Sequence, residues 1–178
     1  MDNIFNNQGK KISWVQIIFL LCIVMLSICA FQILLYESLL IHRFSIPLFI
    51  VGMLAIIVSA VKKHTLKGRM WLLADGAVTV ALSVLLLTEK WSPVYFAVWE
   101  IALGAFKIAE SLQLKRDLSE EIRGFFYIGI VEILSGIGFL ARFSHSIKDA
   151  AIAIAITLAI QISAYALRYY LYPALTQE

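Results

Sequence analysis

The chain reads as an all-α polytopic membrane protein, with six transmembrane helices arranged as three helical hairpins. Three observations predict this. First, 61% of the 178 residues are apolar and only 15% are charged, where a soluble domain carries roughly 45–50% and about 25%. Second, the mean hydropathy is +0.87. Third, the apolar residues gather into six runs joined by short connections. A hydrocarbon core of about 30 Å needs about 20 apolar residues per helix, so six spans use most of the chain and leave no room for a soluble domain. The composition excludes a soluble globular domain, a disordered chain and a coiled coil.

Residues 1–11 form a polar tail. Residues 12–36 hold no charge over 25 positions, too long for the apolar region of a signal peptide, and no A-x-A-like site follows. They predict an uncleaved first span. Cys22 and Cys29 both lie in it, seven residues apart, which is one helix face and about 10 Å along the axis. That is too far for a disulfide, so they read as small hydrophobes. The second span is 44–61 and is also uncharged. The third, 70–88, contains Asp75; the fourth, 91–114, contains Glu100, Lys107 and Glu110. The fifth, 124–141, contains Glu132, and the sixth, 150–172, carries Arg168 near its end, followed by a short tail over 173–178. Prolines fall at positions 47, 93 and 173, near span ends, so the pattern contains no broken helix of the kind transporters place at their sites.

Lys and Arg counts orient the spans. One side takes Lys10, Lys11, Lys62, Lys63, Lys67, Arg69, Lys115, Arg116, Arg123 and Arg168; the other takes Arg43, Lys90, Arg142 and Lys148. Ten against four predicts that both termini are cytoplasmic, in a plasma membrane of bacterial inner-membrane type. The formal net charge of +3 is then loop charge of the positive-inside kind, with no nucleic-acid partner implied. Lys62, Lys63, Lys67 and Arg69 crowd one connection and are expected to meet anionic phospholipid headgroups, each worth about 1 kcal/mol near such a leaflet. Trp14, Trp71, Trp91, Tyr169 and Tyr170 lie at span ends as interface anchors, and Trp99 lies deeper. The expected partners are the bilayer and its headgroups; homo-oligomerisation stays open.

An internal repeat is readable. Gly76 and Ser83 superpose on Gly129 and Gly136 at an offset of 53, and Gly52 and Ser59 on Gly104 and Ser111 at an offset of 52. This predicts three parallel hairpin repeats with the small residues at helix contacts. In these small residues seven apart, in the LLL run closing before Ser92-Pro93, and in the stretch VWEIALGAFKIAESLQLKR, the chain resembles the HdeD-like family of six-helix bacterial membrane proteins. The first hairpin departs from that pattern by lacking a glycine in its first helix. The resemblance implies a part in envelope or acid-stress tolerance and carries no catalytic residue, cofactor or metal.

The candidate site is the set of polar groups inside the spans. A charge at bilayer depth costs about 2.5–3.5 kcal/mol on insertion scales, so such groups face the protein and find partners. Glu100, Gly104, Lys107 and Ser111 recur at helical spacing on one face of the fourth helix. Asp75, Thr79 and Ser83 do so on the third, Gly129, Glu132 and Gly136 on the fifth, and Thr157, Gln161, Ala164 and Arg168 on the sixth. The spacing predicts that these stripes meet at the bundle centre, gathering Asp75, Glu100, Lys107, Glu110, Glu132 and Gln161. Lys107 and Glu132 lie at matching depth, roughly 10–12 Å from the cytoplasmic boundary, and are expected to pair. Glu110 and Asp75 are shallower and are expected to be wetted near the interface. A structural reading makes the cluster a lock; a functional reading makes Glu100, Lys107 and Glu132 a proton or cation relay, as in a small transporter or channel. Enzyme signatures are absent: no H-E-x-x-H pair occurs, the histidines at 42, 64 and 145 lie in loops without ligand spacing, and neither Ser135-Gly136 nor Asp75-Gly76 has the preceding glycine of an intramembrane protease.

Overall fold

The computed structural model describes residues 4–5, 11–36, 41–62, 66–88, 93–114, 122–142 and 147–176. They form six helices: α1 (Trp14–Tyr36), α2 (Ile41–Val61), α3 (Arg69–Leu87), α4 (Pro93–Leu114), α5 (Arg123–Arg142) and α6 (Ile147–Leu175). Two-residue strands, β1 (Ile4–Phe5) and β2 (Lys11–Ile12), pair antiparallel ahead of α1. Ile12 is thus in a strand, and the first helix starts at Trp14. Pro47 and Pro173 lie inside α2 and α6, and neither interrupts its helix.

Each helix packs on its chain neighbours, and α1 closes the ring against α6. The most extensive packing joins α2 to α3, α4 to α5 and α1 to α6, while α1–α2, α3–α4 and α5–α6 meet less closely. Glycine explains two of the three tight pairs. A Cβ on Gly52 would stand 2.8 Å from the Gly76 carbonyl, and one on Gly104 would stand 2.6 Å from the Gly129 carbonyl. Only glycine allows backbones to approach this closely. Gly136 meets Ile101 and the Ala97 carbonyl in the same way, at 2.7 and 2.9 Å.

The bundle is apolar outside, and inside it buries a cluster of charged side chains within an apolar core. On α1, Leu20, Leu21, Val24, Ile28 and Phe31 are exposed, while Val15, Phe19, Cys22, Leu26, Cys29 and Ile33 form the buried face. The same holds on the charged helices: Val98 and Leu112 of α4 and Val131, Leu134 and Ile137 of α5 point outward, and every ionisable residue of the α4 and α5 interiors is buried. Soluble proteins have the opposite arrangement. Four segments, Trp14–Ile33, Arg69–Leu87, Arg123–Ala141 and Ile152–Pro173, are long and apolar enough to cross a membrane. In α2 the apolar stretch is shorter, Ser45–Val61, and α4 is interrupted by its three charges.

The end of the bundle where α2, α4 and α6 finish is capped. Gly68, in the left-handed conformation at φ 73°, lets the chain turn directly into α3. A Cβ there would collide with the Glu110 carboxylate at 2.5 Å. Next to it, Leu66 is buried and bridges Thr176, and the Lys67 backbone N–H donates to the Leu175 carbonyl at 2.9 Å.

Candidate functional site

Six acidic and basic side chains are buried among the described residues: Asp75, Glu100, Lys107, Glu110, Glu132 and Arg168. Helical spacing turns each into the ring. Lys107, one turn beyond Gly104, reaches across the close α4–α5 contact to Glu132, Nζ to Oε1 at 2.8 Å. Gln161 of α6 clamps that pair. Its Oε1 accepts from Lys107 Nζ at 3.3 Å, and its Nε2 donates to Glu132 Oε1 at 2.8 Å. Lys107 and Glu132 both have 0% side-chain exposure, so removing either partner would strand the other's charge.

A second pair lies nearer the capped end. Arg168 of α6 donates Nη1 and Nη2 to Glu110 Oε1 and Oε2 of α4 at 2.8 and 2.7 Å. This two-pronged geometry is the strongest form of an Arg–carboxylate pair. The Phe125 ring lies against the guanidinium, 5.1 Å from centroid to carbon. Asp75 of α3 stands between the pairs, with Oδ2 3.7 Å from Arg168 Nη2 and Oδ1 3.9 Å from Lys107 Nζ. Both distances are long, so Asp75 shares two cations and owns neither.

Glu100 lies at the other end of the stripe. Its Oε2 accepts from Thr157 Oγ1 of α6 at 2.8 Å, and it forms no ion pair with a described residue. Three buried carboxylate oxygens, Asp75 Oδ1, Glu100 Oε1 and Glu132 Oε2, accept no hydrogen bond. Such an unsatisfied group costs about 1–3 kcal/mol. Beside Asp75 is a cavity of about 10 Å³ lined by Leu26, Leu48, Val51, Asp75, Thr79, Trp99, Gln161 and Tyr165, which is about the room one water needs. Trp99 is buried at its wall and donates Nε1–H to Thr79 Oγ1 at 3.1 Å.

Of the residues expected at the centre, Asp75, Lys107, Glu132 and Gln161 come together as one cluster, and Glu110 joins it through Arg168. Glu100 stands apart. The expectation that Glu110 and Asp75 are wetted is corrected: they are 0% and 3% exposed, because Arg168 turns inward and the Gly68 turn lies over Glu110. Arg168 accordingly leaves the set of surface charges that orient the chain, which becomes nine against four. Its pairing with Glu110 was missed although both ends stand four residues from the ends of their spans, a match of depth that would have pointed to it.

Among the basic loop residues, Lys62 stacks over the Trp14 ring at 5.8 Å, and Lys67 and Arg69 are half-buried. Lys63 lies outside the described residues. Trp71 donates to Gln113 across α3 and α4. Cys22 and Cys29 are free and buried. Among the described residues no group of three His, Cys, Asp or Glu side chains is arranged to hold a metal ion. No protein-family model, curated protein or solved structure matches the chain.

Proposed function

We propose that the chain is a non-enzymatic integral membrane protein with six spans, of the HdeD-like kind, contributing to envelope or acid-stress tolerance from a bacterial inner membrane. The observation that carries the membrane reading is the inverted burial: a charged interior closed by packing within an apolar exterior. It supports placing α2 and α4 in the bilayer as well, since their outward faces are as apolar as those of the four longer spans. Burial also supports the repeat. Leu48, Val51, Gly52, Ala55, Val58 and Ser59 are buried on α2, and so are their counterparts 52 positions on, Glu100, Leu103, Gly104, Lys107, Glu110 and Ser111. Leu72, Gly76, Thr79, Ser83 and Leu86 are matched 53 positions on by buried Phe125, Gly129, Glu132, Gly136 and Phe139.

A closed core predicts no conduction. Proteoliposomes containing the wild-type chain are expected to hold a pH gradient as long as protein-free vesicles do, and loss of the gene in its host is expected to lower survival in acid. Unchanged survival would remove the stress reading. The second reading is a small proton-coupled transporter. It is favoured by one comparison: α2 builds the equivalent face from Leu48, Ala55 and Val58, so packing alone does not call for Glu100, Lys107 and Glu110. Proton flux in the wild type that disappears in Glu132→Gln would establish it.

A further inference from the structure

We propose that Glu100 is a proton-binding site, occupied in the resting protein, so that it sits in the core as a neutral acid. The inference rests on the closed core of the preceding reading and is independent of any role in acid tolerance.

Charge counting leads there first. The buried described residues include four carboxylates and two cations. Arg168 is committed to Glu110 and Lys107 to Glu132, at 2.7 and 2.8 Å. Asp75 lies within 4 Å of both cations. Glu100 is left with none. On its own helix the nearest cation is Lys107, two turns away, about 10 Å along the axis and turned to Glu132. From α6 it meets Thr157, from α5 Ser135, with Glu132 beyond; neither Thr157 nor Ser135 is charged. An isolated carboxylate in so apolar a setting costs far more than a protonated one, and the group neutralises instead.

Hydrogen bonding leads to the same atom. Glu100 is 1% exposed and its Oε1 has no partner. Thr157 Oγ1 lies 2.8 Å from Oε2 and 3.1 Å from the Ala153 carbonyl, with one proton for the two; a protonated Glu100 can accept from this hydroxyl or donate to it, whereas a carboxylate can only accept. Ser135 of α5 is the neighbouring hydroxyl on this side, and a hydroxyl oxygen can accept from a protonated carboxyl. At 1% exposure the carboxyl is shielded from bulk water, so its proton is expected to exchange slowly.

The test is infrared spectroscopy of the purified full-length protein at neutral pH, read at the carbonyl stretch of an un-ionised carboxylic acid. The wild type is expected to show this band, Glu100→Gln to lose it, and Glu110→Gln to keep it. Glutamine is the isostere of the protonated acid, so Glu100→Gln is expected to fold with unchanged yield. Because the folded chain holds a proton that the unfolded chain has released, raising the pH should lower the wild-type Tm relative to that of Glu100→Gln. Absence of the band in the wild type, its survival in Glu100→Gln, or failure of Glu100→Gln to fold would each overturn the proposal. None of these outcomes bears on acid survival or flux, so the two readings fail separately.

Discussion

Lys107 is the residue on which the interior depends most. Its ammonium has three donors, and the structure offers Glu132, Gln161 and Asp75 for them. Taking away one member of a buried pair costs about 3–5 kcal/mol, whereas replacing both by apolar groups can be neutral. Lys107→Met is therefore expected to lower Tm clearly, since it strands Glu132 and deprives Asp75 of a neighbour. Glu132→Gln should be milder, because Lys107 can move toward Asp75. The double variant should recover much of the loss, and thermal unfolding of all three in detergent measures it; simple addition of the two effects would mean that the contact carries no coupling. Arg168 is expected to be less forgiving still. Arg168→Met leaves Glu110 buried beneath the Gly68 turn with only Lys107, which is committed to Glu132, as a nearby cation, so folded yield should fall further than for Glu132→Gln.

The helix contacts have their own logic, set by glycines. At Gly104 and Gly129 the neighbouring carbonyl occupies the place of a side chain, and overpacking costs about 1–3 kcal/mol or more when backbone must shift. Gly104→Ala and Gly76→Ala are each expected to reduce folded yield. Gly138 has nothing within 4 Å of its would-be Cβ, and Gly138→Ala should be silent or slightly stabilising, since alanine favours the helix by about 1 kcal/mol. Equal losses at both kinds of site, measured by size-exclusion yield after heating, would contradict the packing account. The helices themselves were legible in the sequence, because apolar length and charged punctuation mark where each begins and ends. Their lateral partners were not. Short loops make every consecutive pair antiparallel, so nothing in loop length separates the loose α3–α4 contact from the tight α4–α5 one; the glycine that decides the matter is recognised only when the opposing carbonyl is known. The polar stripes could be drawn from spacing alone, and they include Arg168, yet its place near the span end also reads as a loop charge until it is seen beneath the cap, paired with Glu110.

Across the whole molecule, the proposed orientation rests on nine loop cations against four, once Arg168 is assigned to the interior. Single cysteines at Ser92 and Ser146, in a background without Cys22 and Cys29, are expected to react with an impermeant maleimide applied to intact cells, and a cysteine at Thr65 is not. The reverse pattern would invert the assignment of both termini. The same labelling tests whether the basic connection that holds Lys62 and Lys67 is on the cytoplasmic side, as the proposed orientation requires.

The closing of the ring by α6 has a consequence for how the protein is made. During synthesis α4 emerges before the helices that neutralise it. Glu132 arrives with α5, but Arg168, Gln161 and Thr157 arrive only with α6, so Glu110 and Glu100 wait for the end of translation. The three ionisable residues of α4, Glu100, Lys107 and Glu110, impose a penalty of up to about 2.5–3.5 kcal/mol for each that enters charged at the centre of a span. The segment Pro93–Leu114 taken alone is therefore expected to insert poorly in a translocon reporter assay, where Trp14–Tyr36 inserts efficiently. On the proposed six-span reading, α4 is expected to insert together with α5 and α6, whose Glu132, Gln161 and Arg168 pair with its charges.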